Sequence, residues 1–282
     1  MNHFCSNIIN ENCIDLYRIM PLERFLQMLY TMQNVLVRPS SWDDPYEKIF
    51  MKSAIMKDEN ELIQYDESRW YGQCWSFNND SDSLWRAFTK GTNARAVKIK
   101  TTSDALMSCF NNVAPNHYFF LFKLKYSESA NGEKQTMHNL SQTYQFDWEF
   151  DEPCINRCFN DEPFKDDPHV RALYMLLTKR TQFKAEDEVR LICYSKTPET
   201  KSVLQYPIPN IGDFLKEVVL DPWTPDGIDD VVSDIVKRYI PGRSISVWKS
   251  DLYQEPQKGL LYDPYHYYDE YIKLHSGSDP NV

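Results

Sequence analysis

The sequence predicts an α+β domain with a mixed or antiparallel β core and peripheral helices. Segments 16–20, 72–77, 95–100, 118–126, 189–194, 217–220 and 244–248 alternate, or run apolar, over strand-like lengths. The helical segments between them are irregularly spaced, which disfavours the regular βαβ repeat of a doubly wound parallel sheet. A chain of 282 residues that is 42% hydrophobic and 14% aromatic can also bury a sizeable core.

Leu16–Met20 reads as a short strand, and Pro21 opens a helix with Leu22, Phe25, Leu26 and Leu29 on one face. Val35–Arg38 is a second short strand, followed by a turn over 39–45. Asp44-Pro-Tyr-Glu47 has a helix-start pattern: Asp as cap, Pro first and Glu third. That reading competes with a chemical role for Asp44 or Glu47. Gly72–Phe77 reads as a buried strand, and a polar turn over 78–83 leads to a short helix through Leu84, Trp85 and Phe88, closed by Gly91.

Arg95–Lys100 alternates as a strand, Thr102-Ser-Asp104 caps a helix reaching about Phe110, and Tyr118–Tyr126 is a long aromatic strand. Between Arg86 and Lys100, Arg86, Lys90, Arg95, Lys98 and Lys100 occur with no acid among them. Such a patch can receive phosphate; the competing reading is a solvated strand face and helix end. Residues 127–167 form an acidic insertion, read as a loop or lid. The spacing of Val170, Leu173, Tyr174 and Leu177 predicts a helix over 169–180. Glu217–Leu220 is a strand ended by Asp221-Pro222, Ile228–Tyr239 is an amphipathic helix, and Ser244–Trp248 is a last strand. We expect one domain over 1–255 and a Tyr-rich tail over 256–282.

The formal charge of -10 argues against binding nucleic acid by surface charge alone, without excluding a local basic cleft. Seven scattered Cys with no Cys-x-x-Cys pair read as reduced thiols of a cytoplasmic protein, and Cys154, Cys158 and His169 support zinc only weakly. The first twelve residues lack a secretory signal pattern, and no apolar run is long enough to span a membrane.

The candidate site centres on Glu186 and Glu188, at the head of the alternating run Val189–Tyr194. On a strand the two carboxylates share a face. One should then resist ionisation unless a cation lies near. Such a pair suits a site that stabilises positive charge. A solvated strand end flanked by Lys184 and Arg190 is the alternative.

Leu16–Met20, Trp42–Glu47, Cys74–Phe77 with Ser83–Arg86, Lys179–Leu191 and Val218–Pro222 together resemble the bacterial domain-of-unknown-function 2971 family over about 16–255. The segment from Phe88 to Ala94 departs from the family pattern. That family is in turn similar to ADP-ribosyltransferases. The resemblance implies an ADP-ribosyltransferase-like fold and an enzyme that cleaves NAD, its substrate, and passes ADP-ribose to a protein or nucleic-acid acceptor. It also implies a toxin or phage-defence role with a cognate antitoxin. By motif position, Glu188, Glu186 and Arg18 would be catalytic. Arg18, Ser76, Trp75, Phe77, Trp85 and Arg86 would hold the dinucleotide, and no metal is expected. Two alternatives stay open: a non-enzymatic binding or antitoxin-like module, and a metal-dependent nucleic-acid-processing enzyme using Asp44, Glu47, Glu186 and Glu188.

Overall fold

The computed structural model describes residues 4–6, 13–44, 47, 54–58, 61–89, 95–127, 164–165 and 167–255. Contacts divide the chain into Met1–Ser250 and Asp251–Val282. In the second unit the described residues make a turn, with the Gln254 N–H donating to the Asp251 carbonyl (2.8 Å). The tyrosines of the tail, the pair Cys154 and Cys158, Gly91 and most of the acidic insertion lie outside the described residues.

The strands of the first unit are β1 (Phe4–Ser6), β2 (Asp15–Pro21), β3 (Gln33–Val37), β4 (Ala54–Asp58), β5 (Glu61–Gln64), β6 (Trp70–Ser76), β7 (Ala96–Thr102), β8 (His117–Lys123), β9 (Lys125–Ser127), β10 (Thr178–Arg180), β11 (Glu188–Ser195), β12 (Val203–Pro207), β13 (Glu217–Leu220) and β14 (Ser246–Lys249). The helices are α1 (Leu22–Thr31), α2 (Asp82–Thr89), α3 (Ser103–Ser108), α4 (Leu173–Leu176), α5 (Ile211–Phe214) and α6 (Ile228–Tyr239). Among the described residues, ten strands make one mixed sheet in the order β1-β8-β11-β6-β2-β7-β13-β14, with β3 joining β6 and β12. The β1–β8 and β13–β14 pairs are parallel and the other pairs in this sheet antiparallel. Each segment expected as a core strand contributes to this sheet, although the end of the 118–126 segment lies in a separate β9–β10 pair, and the fold is α+β.

Strand alternation sorts side chains onto two faces. One face carries the main core, with Leu16 and Met20 of β2, Tyr71 and Trp75 of β6, Val97 and Ile99 of β7, and Val189 and Leu191 of β11. The other carries Trp70, Phe120, Phe122, Ile192 and Tyr194, with Trp42 laid over them. Strands β6 and β2 share a single register pair, Tyr17 with Ser76, so the sheet forks there. The fork is the opening that the candidate site uses.

Two expectations change. The helix over 169–180 is a 3-10 turn (Pro168–Ala172) and one turn of α4, and the chain then enters β10. The apolar spacing was real, since Val170, Leu173 and Leu177 are all buried in the second core. Pairing of Thr178–Arg180 with Lys125–Ser127 overrides the helical period. The long aromatic strand also breaks at Leu124, whose N–H donates to the Glu188 carbonyl (3.0 Å), and resumes as β9.

Gly72 is fixed by a close approach. A Cβ there would lie 2.6 Å from Trp42 Cζ2 and 2.9 Å from Ile192 Cδ1. Gly72→Ala is expected to destabilise the fold by roughly 1–3 kcal/mol, the ordinary cost of overpacking. The measurement is urea unfolding, and a change below about 0.5 kcal/mol would show that Trp42 yields freely.

Candidate active site

A small cleft opens at the fork and is continuous with solvent. Tyr17 and Ile19 of β2, Cys74 and Ser76 of β6, and Lys98 of β7 form its walls, with Leu84 of α2 and Asn78 from the loop before it. Glu186 and Glu188 close one end. Register explains the convergence: Glu188 lies opposite Ser76, Ser76 opposite Tyr17, and Ile19 opposite Lys98.

Glu188 opens β11, but Glu186 is not on the strand; it ends a 3-10 turn (Thr181–Glu186). Asp187 between them adopts a left-handed conformation (φ 42°) and breaks the alternation. The carboxylates still converge, through Lys179. Its ammonium donates to Glu186 Oε2 (2.6 Å) and Glu188 Oε2 (2.8 Å). Arg190, two residues on along the same face, donates from Nε to Glu188 Oε1 (2.7 Å) and from Nη1 to the Leu176 carbonyl (2.7 Å). Its Nη2 pairs with Glu47, and its guanidinium lies 4.3 Å from the Trp42 ring centre. Arg190 is 1% exposed and Glu188 2%.

Three carboxylates therefore face two cations, leaving one net negative charge when all are ionised. Burial pushes Glu188 up, but Arg190 and Lys179, with hydrogen bonds from Arg190 and Cys74, outweigh it and hold the carboxyl down to about 2. Burial raises Glu186; Lys179 opposes this, Glu188 and Glu47 add to it, and the net shift is upward. Glu47 is likewise raised, by burial first, with Arg190 pulling the other way. Desolvation alone would lower Lys179 and Arg190, yet their carboxylate neighbours raise both. The two glutamates shift in opposite directions, Glu186 upward and Glu188 downward, although one cation, Lys179, lies beside both.

The linkage has a definite sign. A folded-state pKa of about 2 against an ordinary 4.5 means Glu188 stabilises the fold fully above pH 4.5 and loses that contribution as pH falls toward 2. At 1.36 kcal/mol per unit, the contribution is on the order of 3 kcal/mol. Glu47 and Glu186, being raised, oppose it by relaxing as they protonate. Acid titration of folding should show a limb between pH 4.5 and 2 that disappears in Glu188→Gln; a limb unchanged in that variant would assign it to other groups.

The remaining sequence-predicted residues divide. Ser76 lies in the cleft wall, where its hydroxyl donates to the Glu186 carbonyl (2.7 Å) and accepts from the Asn78 N–H (2.8 Å). Arg18 and Trp75 also line the cleft. Register, however, sets Arg18 opposite Ile99 and Trp75 opposite Val189, and both partners belong to the main core. Arg18 accordingly lies 5.9 Å from the Trp75 ring centre, and desolvation, opposed by Cys74, lowers its guanidinium to about 10. Among the described residues Arg18 forms no ion pair. The cations that reach Glu186 and Glu188 are Lys179 and Arg190.

Phe77 follows Trp75 to the core side, with Lys123 5.2 Å from its ring centre. Trp85 is buried beneath Lys98, its Nε1 donating to Asp80 (2.8 Å). Arg86 is exposed and pairs with Asp82 one turn away at 2.7 Å. None of these three lines the cleft among the described residues. The oxygens proposed for a metal are engaged by cations: Asp44 by Arg180, Glu47 by Arg190, and Glu186 and Glu188 by Lys179. Among the described residues no group of three or more His, Cys, Asp or Glu is arranged to hold a metal ion. No helix there is long and apolar enough to cross a membrane.

Sequence reasoning missed Lys179, Arg190 and Cys74. Arg190 had a signal, since it stands two positions from Glu188 on the same strand face. Lys179 stood at the head of the Lys179–Leu191 stretch, but the helical period around it hid β10 and with it the direction of its side chain.

No family model and no curated protein matches the chain. Among solved structures the chain is similar to Thermus sp. 2.9 DarT in complex with ADP-ribosylated ssDNA, at 11% identity and TM-score 0.36, over 84% of this chain and 93% of that one. It is also similar to the same protein in complex with carba-NAD+ (11%, TM-score 0.34, 86% and 97%) and with NAD+ (11%, TM-score 0.34, 84% and 94%). At that distance the functional reading rests on the geometry of the cleft itself.

Proposed function

We propose that the chain is an ADP-ribosyltransferase-type enzyme that cleaves NAD and transfers ADP-ribose to a macromolecular acceptor. One observation carries the reading: a buried Glu188, held by Lys179 and Arg190, at the end of the cleft. When the bond from ribose C1′ to nicotinamide breaks, the electron pair leaves with nicotinamide and C1′ becomes an oxocarbenium-like cation. A carboxylate held ionised and hydrogen-bonded needs no reorganisation to face that charge. Glu188 acts here as a fixed anion. Its oxygens are engaged by Lys179 and Arg190, so it is a poor base. Glu186, whose proton affinity is raised, is the better group to take the acceptor's proton as its nucleophile bonds to C1′. Ser76 and Tyr17 form the wall between Glu188 and the rest of the cleft.

A second reading keeps the binding and drops the turnover. It is favoured by the same engagement of Glu188, because a fully paired carboxylate is also an ordinary buried ion-pair network. Incubation with labelled NAD and, separately, single-stranded DNA, RNA and cell protein separates the two. Nicotinamide release with label on an acceptor supports the enzyme; binding without release supports the module. The toxin and phage-defence role, with a cognate antitoxin as partner, extends the enzyme reading.

A further inference from the structure

We infer that Lys98 is the anion contact of the cleft, holding the phosphate groups of a dinucleotide whose cationic end lies at Glu188. The inference rests on the ADP-ribosyltransferase reading. Arg18 was an expected dinucleotide contact and Lys98 belongs to the basic stretch able to receive phosphate, but register turns the Arg18 side chain to the main core. The same register turns Lys98, opposite Ile19, onto the cleft face, and Lys98 lines the cleft.

A lysine that is 2% exposed is costly to bury unless its charge is used. Its ammonium donates to the Asn79 carbonyl and to Asn79 Oδ1 (3.3 Å) and forms a long ion pair with Asp80 (3.9 Å). The Tyr17 and Trp85 rings flank it at 5.8 and 6.0 Å. Its neighbour Lys100, on the other side of Tyr17, is instead tied to Asp15 (2.7 Å) and does not line the cleft among the described residues.

The spacing suits a bipolar ligand. From β11 through β6 and β2 to β7 is three strand steps of ~4.8 Å, so Glu188 and Lys98 start from backbones roughly 15 Å apart. Both residues line the cleft, and a separation of this order suits a ligand with a ribose and a phosphate between its ends. A lysine there serves as a compact point charge for phosphate.

The test uses the full chain and Trp fluorescence, with ADP-ribose, inorganic pyrophosphate and nicotinamide riboside as probes. Lys98→Met is expected to weaken ADP-ribose and pyrophosphate at least about tenfold and to leave nicotinamide riboside, which lacks phosphate, within about twofold. Lys98→Arg, which keeps the charge, should hold ADP-ribose within a few-fold and serves if the Met variant does not fold; a tenfold loss in a folded Arg variant would count against a simple charge contact. Equal weakening of all three probes by Lys98→Met, or of none, overturns the inference. Wild-type chain that cleaves NAD with a KM unchanged in Lys98→Met overturns Lys98 alone. Lys98-dependent pyrophosphate binding by a chain that never cleaves NAD keeps the anion site and overturns the enzyme reading.

Discussion

Glu188→Gln is expected to lower nicotinamide release from NAD by at least about a hundredfold, the scale of removing one preorganised electrostatic group. The substitution keeps the shape and most of the hydrogen-bonding geometry. It also changes the sign balance of the site. With Glu188 neutral, Glu47 and Glu186 face Lys179 and Arg190 as two against two, and the net negative charge at the cleft end is gone. Nothing then remains to favour the developing C1′ cation over the ground state, so the loss should fall on kcat more than on KM. The same variant gives up the ion-pair stabilisation of a carboxyl held at about 2, so folding is checked by circular dichroism at the assay temperature. Glu188→Asp, which keeps the charge and withdraws it by one methylene, separates lost charge from lost fold. Near-normal release by a folded Gln variant would remove Glu188 from the chemistry.

The fold was legible because its signal is local. Alternation marks β7, whose Val97 and Ile99 alternate with Lys98 and Lys100, while β6 and β11, buried on both faces, are marked by their short, mostly apolar runs. What escaped was set by tertiary pairing. The apolar spacing around Leu173 and Leu177 reads as a long helix because those residues do share a buried face. Only the parallel pairing of β10 with β9 shows why the helix stops at Leu176.

The site was half legible for a related reason. Glu188 and Ser76 follow from strand phase once their strands are recognised. The phase of β2 was also available: Leu16 and Met20 flank Arg18 two positions either side and face the main core, so the arginine turns with them. That argument would have moved the phosphate contact off Arg18. The pairing of Lys179 with both glutamates was out of reach, since Lys179 is brought there by β10 and the turn after it.

Arg190→Met is expected to destabilise the fold by about 3–5 kcal/mol, the cost of breaking a buried ion pair by removing one partner. Arg190 joins Glu188, Glu47 and the Leu176 carbonyl, and its plane lies on Trp42. Methionine replaces the packing on Trp42 and none of the charge. Two buried carboxylates then share Lys179 alone, and Glu188 should rise from about 2 toward the ordinary range as the attraction that outweighed burial is lost. Against a total stability of roughly 5–15 kcal/mol, the variant is close to unfolding at 37 °C. Glu47→Leu in the same chain removes one stranded carboxylate and should return part of the loss, with a coupling of about 0.5–3 kcal/mol in the double-mutant cycle. Arg190→Lys keeps the charge but cannot reach both carboxylates and the carbonyl at once, so it should fall between. Urea unfolding of the four chains reads the cycle. A loss below about 1 kcal/mol in Arg190→Met would mean that the cluster is already neutralised without Arg190, and that the negative charge offered to the cleft is smaller than three ionised carboxylates against two cations give.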